Sequence, residues 1–264
     1  MLQREDYEEP RCVLCMNEKS RVPMDRVLEK FDSYLENKEL GRAKSHLLYW
    51  LEEAKVGQDE GGEIVLLGEL MGYCRKNGEM SEAIAYAESA LSKVEKYGFS
   101  DTVTGATAIL NAGTVYRASG DCKKSAELYE RAEKIYEKEL NPRDDRLGGL
   151  YNNYASTLTE LCEFERALER YEKALKIMDG TVNGNLECAI TYLNMADLYV
   201  KKVGLIESEA ITDELLDKAY TLLTDDSLER NGYYEFVLDK CIPAYDQFGQ
   251  FLRSNELKRR INRL

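Results

Sequence analysis

The sequence predicts an all-α fold, a solenoid of about six antiparallel helix pairs. Three observations carry this expectation. Composition favours helix over strand, with 34 Leu and 20 Ala against 12 Val and 10 Ile, and only 4 Pro in 264 residues. Apolar residues recur at spacings of three and four, as on one helical face. A pattern of small, aromatic, Gly and Ala positions returns in phase at a 42-residue period. With 44% hydrophobic and 32% charged residues, the chain has enough apolar surface for a real core.

Residues 1–23 read as an N-terminal arm, and 24–264 as a single array. In 24–55, Ala43, Leu47 and Trp50 occupy the second-helix positions of a degenerate first pair. The best repeats span 63–178. Their first copy runs through Leu70, Met71, Cys74, Gly78, Ala83, Ala87 and Ala90. The second runs through Ala112, Gly113, Tyr116, Gly120, Ser125, Tyr129 and Ala132, and the third through Tyr154, Ala155, Leu158, Cys162, Ala167, Tyr171 and Ala174. In the second copy, Ile109, Ala112, Gly113 and Tyr116 share one helical face. Ser119-Gly120-Asp121 ends that helix with a Gly able to take the left-handed cap. Ser125, Leu128, Tyr129 and Ala132 then form the second face, and Asn141-Pro142 closes the unit. Small residues at 113, 125 and 132 let two helix backbones approach, and Tyr116 and Tyr129 fill the space beside them. In 186–223, Ala196 and Ala219 stand farther apart than their counterparts, which predicts about four inserted residues near Val203 to Thr212. Residues 233–264 read as a last pair turning at Gly249. Terminal repeats cap such a stack and are expected to be atypical.

The segments NAGTVYRASGDCKKSAELYERAEKIY (111–136) and YNNYASTLTELCEFERALERYEKALKI (151–177) resemble tetratricopeptide repeats (TPR). The 42-residue period is longer than the usual TPR unit and is similar to the kinesin-light-chain type. The chain departs from the pattern at Cys74, Ser125 and Cys162. The resemblance implies a right-handed superhelix whose first helices line a concave groove that binds peptides or protein segments.

Asn111, Asn153 and Asn194 each stand two residues before the small residue of a first helix, 42 and 41 residues apart. In the family, the matching Asn contacts the backbone of bound peptide. An amide offers a donor and an acceptor, as one peptide group requires. Packed helices lie ~8–10 Å apart and an extended chain rises ~3.3 Å per residue, so one Asn meets roughly every third ligand residue. Thr107, Thr114, Arg117, Asn152, Ser156, Glu160 and Asp197 share those faces and are candidate specificity positions. A ladder of structural Asn residues, bonding between adjacent helices, is the other reading.

Other features point less far. Cys12 and Cys15 form one C-x-x-C, which is half a zinc site, a redox pair or two ordinary thiols. Further zinc ligands would have to come from Cys241, His46 or a partner. The single His excludes zinc motifs that need two, and His46 fits a half-buried helix position. The net charge of −13 argues against a nucleic-acid binder, although Lys258, Arg259, Arg260 and Arg263 make the C-terminal helix locally basic. Asp144-Asp145 and Asp225-Asp226 fall in loops, without the shielded cleft that acid–base chemistry needs. No phosphate loop, G-x-G-x-x-G or G-x-S-x-G motif is present. The acidic residues within Met1 to Glu9 are wrong for a secretory leader. The apolar run Ile64–Tyr73, broken by Glu69, falls short of the ~20 residues of a membrane span. Seven Cys without disulfide-like clustering suit a reducing cytoplasm.

The leading expectation is therefore a non-enzymatic binding scaffold without cofactor or metal. Its partner would be a protein or peptide segment, not a nucleic acid or a membrane. The alternatives are a self-assembling scaffold, hence a homo-oligomer, and an intracellular sensor of signalling peptides that acts on a protein partner.

Overall fold

The computed structural model describes residues 21–261. Among the described residues there are twelve α-helices and no strand. They form consecutive pairs: α1 (Met24–Glu36) with α2 (Leu40–Val56), α3 (Glu60–Lys76) with α4 (Met80–Lys96), and α5 (Val103–Ala118) with α6 (Cys122–Glu139). These are followed by α7 (Asp145–Glu160) with α8 (Phe164–Met178), α9 (Gly184–Val203) with α10 (Leu205–Leu223), and α11 (Gly232–Gln247) with α12 (Phe251–Ile261). The expected fold class, an all-α stack of antiparallel pairs, is what the chain adopts. The helices group into two compact units divided between Ile135 and Tyr136, within α6.

Local chemistry sets the helix ends. Asp59, Thr102, Asp144 and Asn231 cap first helices by accepting backbone N–H groups with their side chains. The turns between paired helices share one device. A residue at positive φ occupies positions 38, 78, 120, 162 and 249, and the following N–H returns to a carbonyl of the preceding helix. Glu79 N reaches Cys74 O at 2.8 Å, and Asp121 N reaches Tyr116 O at 2.9 Å, closing the helix end as a Schellman cap. Gly fills the position at 78, 120 and 249, whereas Lys38 and Cys162 hold φ of 58° and 62° with a side chain attached. Around Gly204 the extra residues expected near Val203 to Thr212 make no loop. They lengthen α9 and α10 to 20 and 19 residues, joined by Gly204 alone.

In the first unit, α3 packs on α2, α4 and α5. Its core joins Val27, Phe31, Leu47, Leu67, Leu70, Met71, the second-helix alanines Ala83, Ala87 and Ala90, and Val115. In the second unit, α9 packs on α7, α8, α10 and α11. Leu186, Leu193, Leu216, Tyr234, Leu238 and Tyr245 are among the residues that form its core. Buried tyrosines keep their hydroxyls bonded. Tyr73 donates to Leu40 O at 2.9 Å, and Tyr234 and Tyr245 donate to Leu223 O and Leu216 O at 3.1 Å each. A buried ionic group ties α3 to α4: Glu63, 3% exposed, takes the Lys93 ammonium at 2.5 Å and the Tyr97 hydroxyl at 2.9 Å.

The first turns of α5 and α9 lie close against the chain that leads into them. A Cβ placed on Gly105 would lie 2.0 Å from Phe99 O, and one on Gly184 would lie 2.0 Å from Met178 O. Both obstacles are backbone, which cannot swing away. Gly105→Ala and Gly184→Ala are therefore expected to cost more than about 2 kcal/mol each. Gly149→Ala in α7, where a Cβ meets nothing within 4 Å, is expected to gain about 0.5–1 kcal/mol from helix propensity. Urea unfolding of the three variants checks the contrast.

Candidate functional site

The sequence-predicted residues lie on first helices, and each unit shows how they are held. In the first unit, Asn111 on α5 is half-buried, and its Nδ2 lies 3.3 Å from the position a Cβ on Gly68 of α3 would take. The amide thus lies over a side-chain-free stretch of the neighbouring first helix. One turn on, the Thr114 hydroxyl is 2.9 Å from the Tyr129 hydroxyl and 3.2 Å from Leu110 O. Thr107 donates back to Val103 O at 2.9 Å. Arg117 is half-buried beside the Tyr129 phenol, whose pKa burial raises, so the ring stays neutral.

In the second unit, Asn194 on α9 donates through Nδ2 to Asn152 Oδ1 on α7 at 3.1 Å. Asn152 is 8% exposed and therefore belongs to the packing between these helices as well as to their surface. The bond uses one of the two N–H donors of Asn194 and leaves its carbonyl outside the pair. Asn153 and Ser156 are half-buried on α7. Glu160 and Asp197 converge on Lys201, at 2.6 and 3.1 Å. Two predicted acidic positions are thus joined by one ammonium across α7 and α9.

The structure adds residues that the sequence alone did not mark. A cavity of about 160 Å³ opens between α9 and α11. Its walls include Leu193, Asn194, Asp197, Lys240, Gln247 and Phe248. Asn194 and Asp197 were expected from the sequence, whereas the α11 contributors were not. Lys240 precedes Ile242 by two residues, which is the offset that picks out the Asn residues, so the register itself held the signal. The same offset places Glu69 on α3, two residues before Met71. Burial, and then the Asp32 carboxylate, raise the pKa of Glu69 above the usual carboxylate range.

The remaining candidates resolve as follows. Cys12 and Cys15 lie outside the described residues. His46 Nε2 is 3.0 Å from Val27 O, between the rings of Tyr34 and Trp50, and burial lowers its pKa. Its place is the half-buried helix position expected for it. Cys74, Glu79 and Glu82 offer three ligand atoms within 4.8 Å of one another. The Lys44 ammonium already rests on both carboxylates, at 2.7 and 2.8 Å, and its pKa is raised by them. Burial pushes the Cys74 thiol up to about 12. Five free cysteines lie among the described residues, with Cys162 exposed and Cys74, Cys188 and Cys241 buried. No helix among the described residues is long and apolar enough to cross a membrane.

Residues 65–138 match the tetratricopeptide repeat family model. No curated protein sequence matches the chain. Among solved structures, BtubC (BKLC) from P. vanneervenii is similar over 92% of this chain and 91% of its own, at 19% identity and a TM-score of 0.54. A kinesin light chain with nearly identical TPR-like repeats, from Podosopora anserina, is similar over 74% of this chain and 92% of its own, at 18% identity and a TM-score of 0.53. A singly substituted form of that protein gives 74%, 91%, 18% and 0.54. The fold of this chain is therefore similar to that of kinesin-light-chain-like repeat proteins.

Two outcomes follow from the site. Because the pKa of Glu69 is raised in the folded state, its charge costs stability above that folded pKa and costs nothing below the unfolded value, near 4.3 for Glu. Glu69→Gln is expected to raise the thermal midpoint at pH 7, with the gain shrinking as pH falls toward about 4. A melt series across that range tests the sign. A thiol reagent applied to the native protein at pH 8 is expected to label Cys162 first among the described thiols, and Cys74 and Cys241, both pushed up to about 12 by burial, last. Mass spectrometry of timed samples reads the order.

Proposed function

We propose that this chain is a non-enzymatic scaffold of a reducing compartment. It holds an extended protein or peptide segment against its first helices, and Asn111, Asn153 and Asn194 each engage the segment's backbone. One observation carries the reading. An amide recurs at one register position of three first helices and stays half-exposed there, with hydrogen-bonding capacity beyond its packing contacts. Thr107, Thr114, Arg117, Asn152, Ser156, Glu160 and Asp197 would then discriminate among segments. The tetratricopeptide repeats of 65–138 support a scaffold role.

The Asn194–Asn152 bond favours a second role for one rung. Asn194 also tethers α9 to α7, so its removal has a structural cost of about 1 kcal/mol as well as a binding cost. A separate observation favours self-association as an alternative function. Phe251 and Leu252 at the start of the last helix are 61% and 89% exposed. Light scattering that reports a strict monomer at high concentration removes this alternative.

Peptides selected on the wild-type protein from a random library supply the test. The Asn111→Ala, Asn153→Ala, Asn194→Ala triple variant is expected to bind them at least tenfold more weakly while keeping its helical circular dichroism and a cooperative melt. Equal affinity with an intact fold would return the three amides to a packing role.

A further inference from the structure

Three second helices, α4, α6 and α8, open on one pattern. Their first residues, Met80, Cys122 and Phe164, are half-buried, and their second residues, Ser81, Lys123 and Glu165, are polar and exposed. In α10 and α12 both positions are apolar and both stand in water. Leu205 and Ile206 are 61% and 81% exposed, and Phe251 and Leu252 are 61% and 89% exposed. Large apolar side chains left in water at paired positions of two successive helices mark a surface that is covered in use.

The two apolar pairs belong to one edge of the second unit. Helices α10 and α12 lie side by side and run the same way. Gln250 donates to Asp213 at 3.3 Å, Arg253 pairs with Asp217 at 2.5 Å, and Tyr220 donates to Glu256 at 2.5 Å. Ile206 stands seven residues before Asp213, hence on the same strip of α10 and about 10 Å nearer its start. Ala210, on that strip too, is exposed. The inserted residues explain the exposure. From α4 to α6 and from α6 to α8 the helix starts are 42 residues apart, whereas α12 starts 46 residues after α10. About one extra turn of α10 thus runs past the start of α12. It leaves a step on α10, floored by Ile206 and Ala210, with Phe251 and Leu252 projecting beside it.

We propose that this edge is the contact between two copies of the chain related by a two-fold axis, with Leu205 and Ile206 of each copy packed on Phe251 and Leu252 of the other. A two-fold contact requires a self-complementary face, and this one holds both the step and the side chains that fill it. It holds both charges as well. Residues 205–214 carry Glu207, Glu209, Asp213 and Glu214 and no basic residue, whereas α12 carries Arg253, Lys258, Arg259 and Arg260 against Glu256 alone. The axis turns the acidic start of each α10 toward the basic α12 of the other copy, so opposite charges rim the apolar contact. The proposal rests on the self-association given above as the alternative function and assigns it a surface, a symmetry and its residues. It is independent of the amide ladder.

Sedimentation velocity of the full chain over a wide concentration range supplies the test. The samples are the wild type, Ile206→Glu, Leu252→Lys, and an equimolar mixture of the two variants. Both side chains are exposed, so helical circular dichroism and the melting midpoint are expected to stay at wild-type values. The wild type is expected to dimerise. Each substitution is expected to raise the dissociation constant at least tenfold, because it sets a charge against an apolar side chain twice in the dimer. In the mixed dimer the two new charges face each other at one contact and the native side chains meet at the other. The mixture is therefore expected to associate at least tenfold more tightly than either variant alone. A wild type that stays monomeric overturns the interface and the self-association reading together. A dimer that only one substitution weakens, or neither, overturns this interface and leaves self-association standing on another surface. Weakening by both without recovery on mixing overturns the reciprocal pairing and with it the two-fold contact.

Discussion

Everything in this molecule depends on how closely neighbouring helices approach. At the starts of α5 and α9 backbone lies against backbone, with Gly105 over Phe99 O of the leading turn and Gly184 over Met178 O at the end of α8. At a third, the Tyr129 ring lies 3.0 Å from where a Cβ on Gly113 would stand, so the missing side chain makes the seat for the ring. The second helices contribute a matching column of fully buried alanines, including Ala83, Ala87, Ala90, Ala167, Ala174 and Ala219. Small residues bury little area each. Their contribution is the short interaxial distance that lets large ones, such as Tyr129, Tyr154 and Tyr171, fill the remaining space at interior density.

That spacing decides what the first helices can present. With α3 and α5 in close register, the Asn111 amide reaches across to Gly68. Between α7 and α9, Asn194 reaches Asn152 and Lys201 reaches Glu160. Groups about one repeat apart in sequence become chemical neighbours, and their effects follow the charges that meet. Lys201 between Glu160 and Asp197 is one cation shared by two carboxylates. Arg117 lowers the pKa of Arg75 and Asp32 raises that of Glu69, with burial the larger cause in each case.

How much was legible varied with range. The repeat period, the helix ends and the left-handed turn positions follow from local chemistry, so 42-residue spacing, cap residues and Gly sufficed to place them. Cys162 shows the strength of the pattern: it occupies a Gly position and takes positive φ all the same. The Asn residues were legible for the same reason. Phe248 was not, because it is an ordinary residue when read alone and gains meaning only from the cavity it lines, whereas Lys240 stands at the register position of the Asn residues.

The sequence by itself determined the class of the fold, its period, its pairs of helices and the face of each helix that is buried. These depend on contacts within one repeat, between residues at most a few turns apart, and apolar periodicity encodes them directly. Only the tertiary structure decided which polar groups meet across helices: that Asn194 holds Asn152, that Lys44 fills the space among Cys74, Glu79 and Glu82, and that Arg75 faces another cation. Such meetings depend on interhelical distance and register to within an ångström, and hydrogen bonds and ion pairs are lost over shifts that leave the apolar pattern untouched.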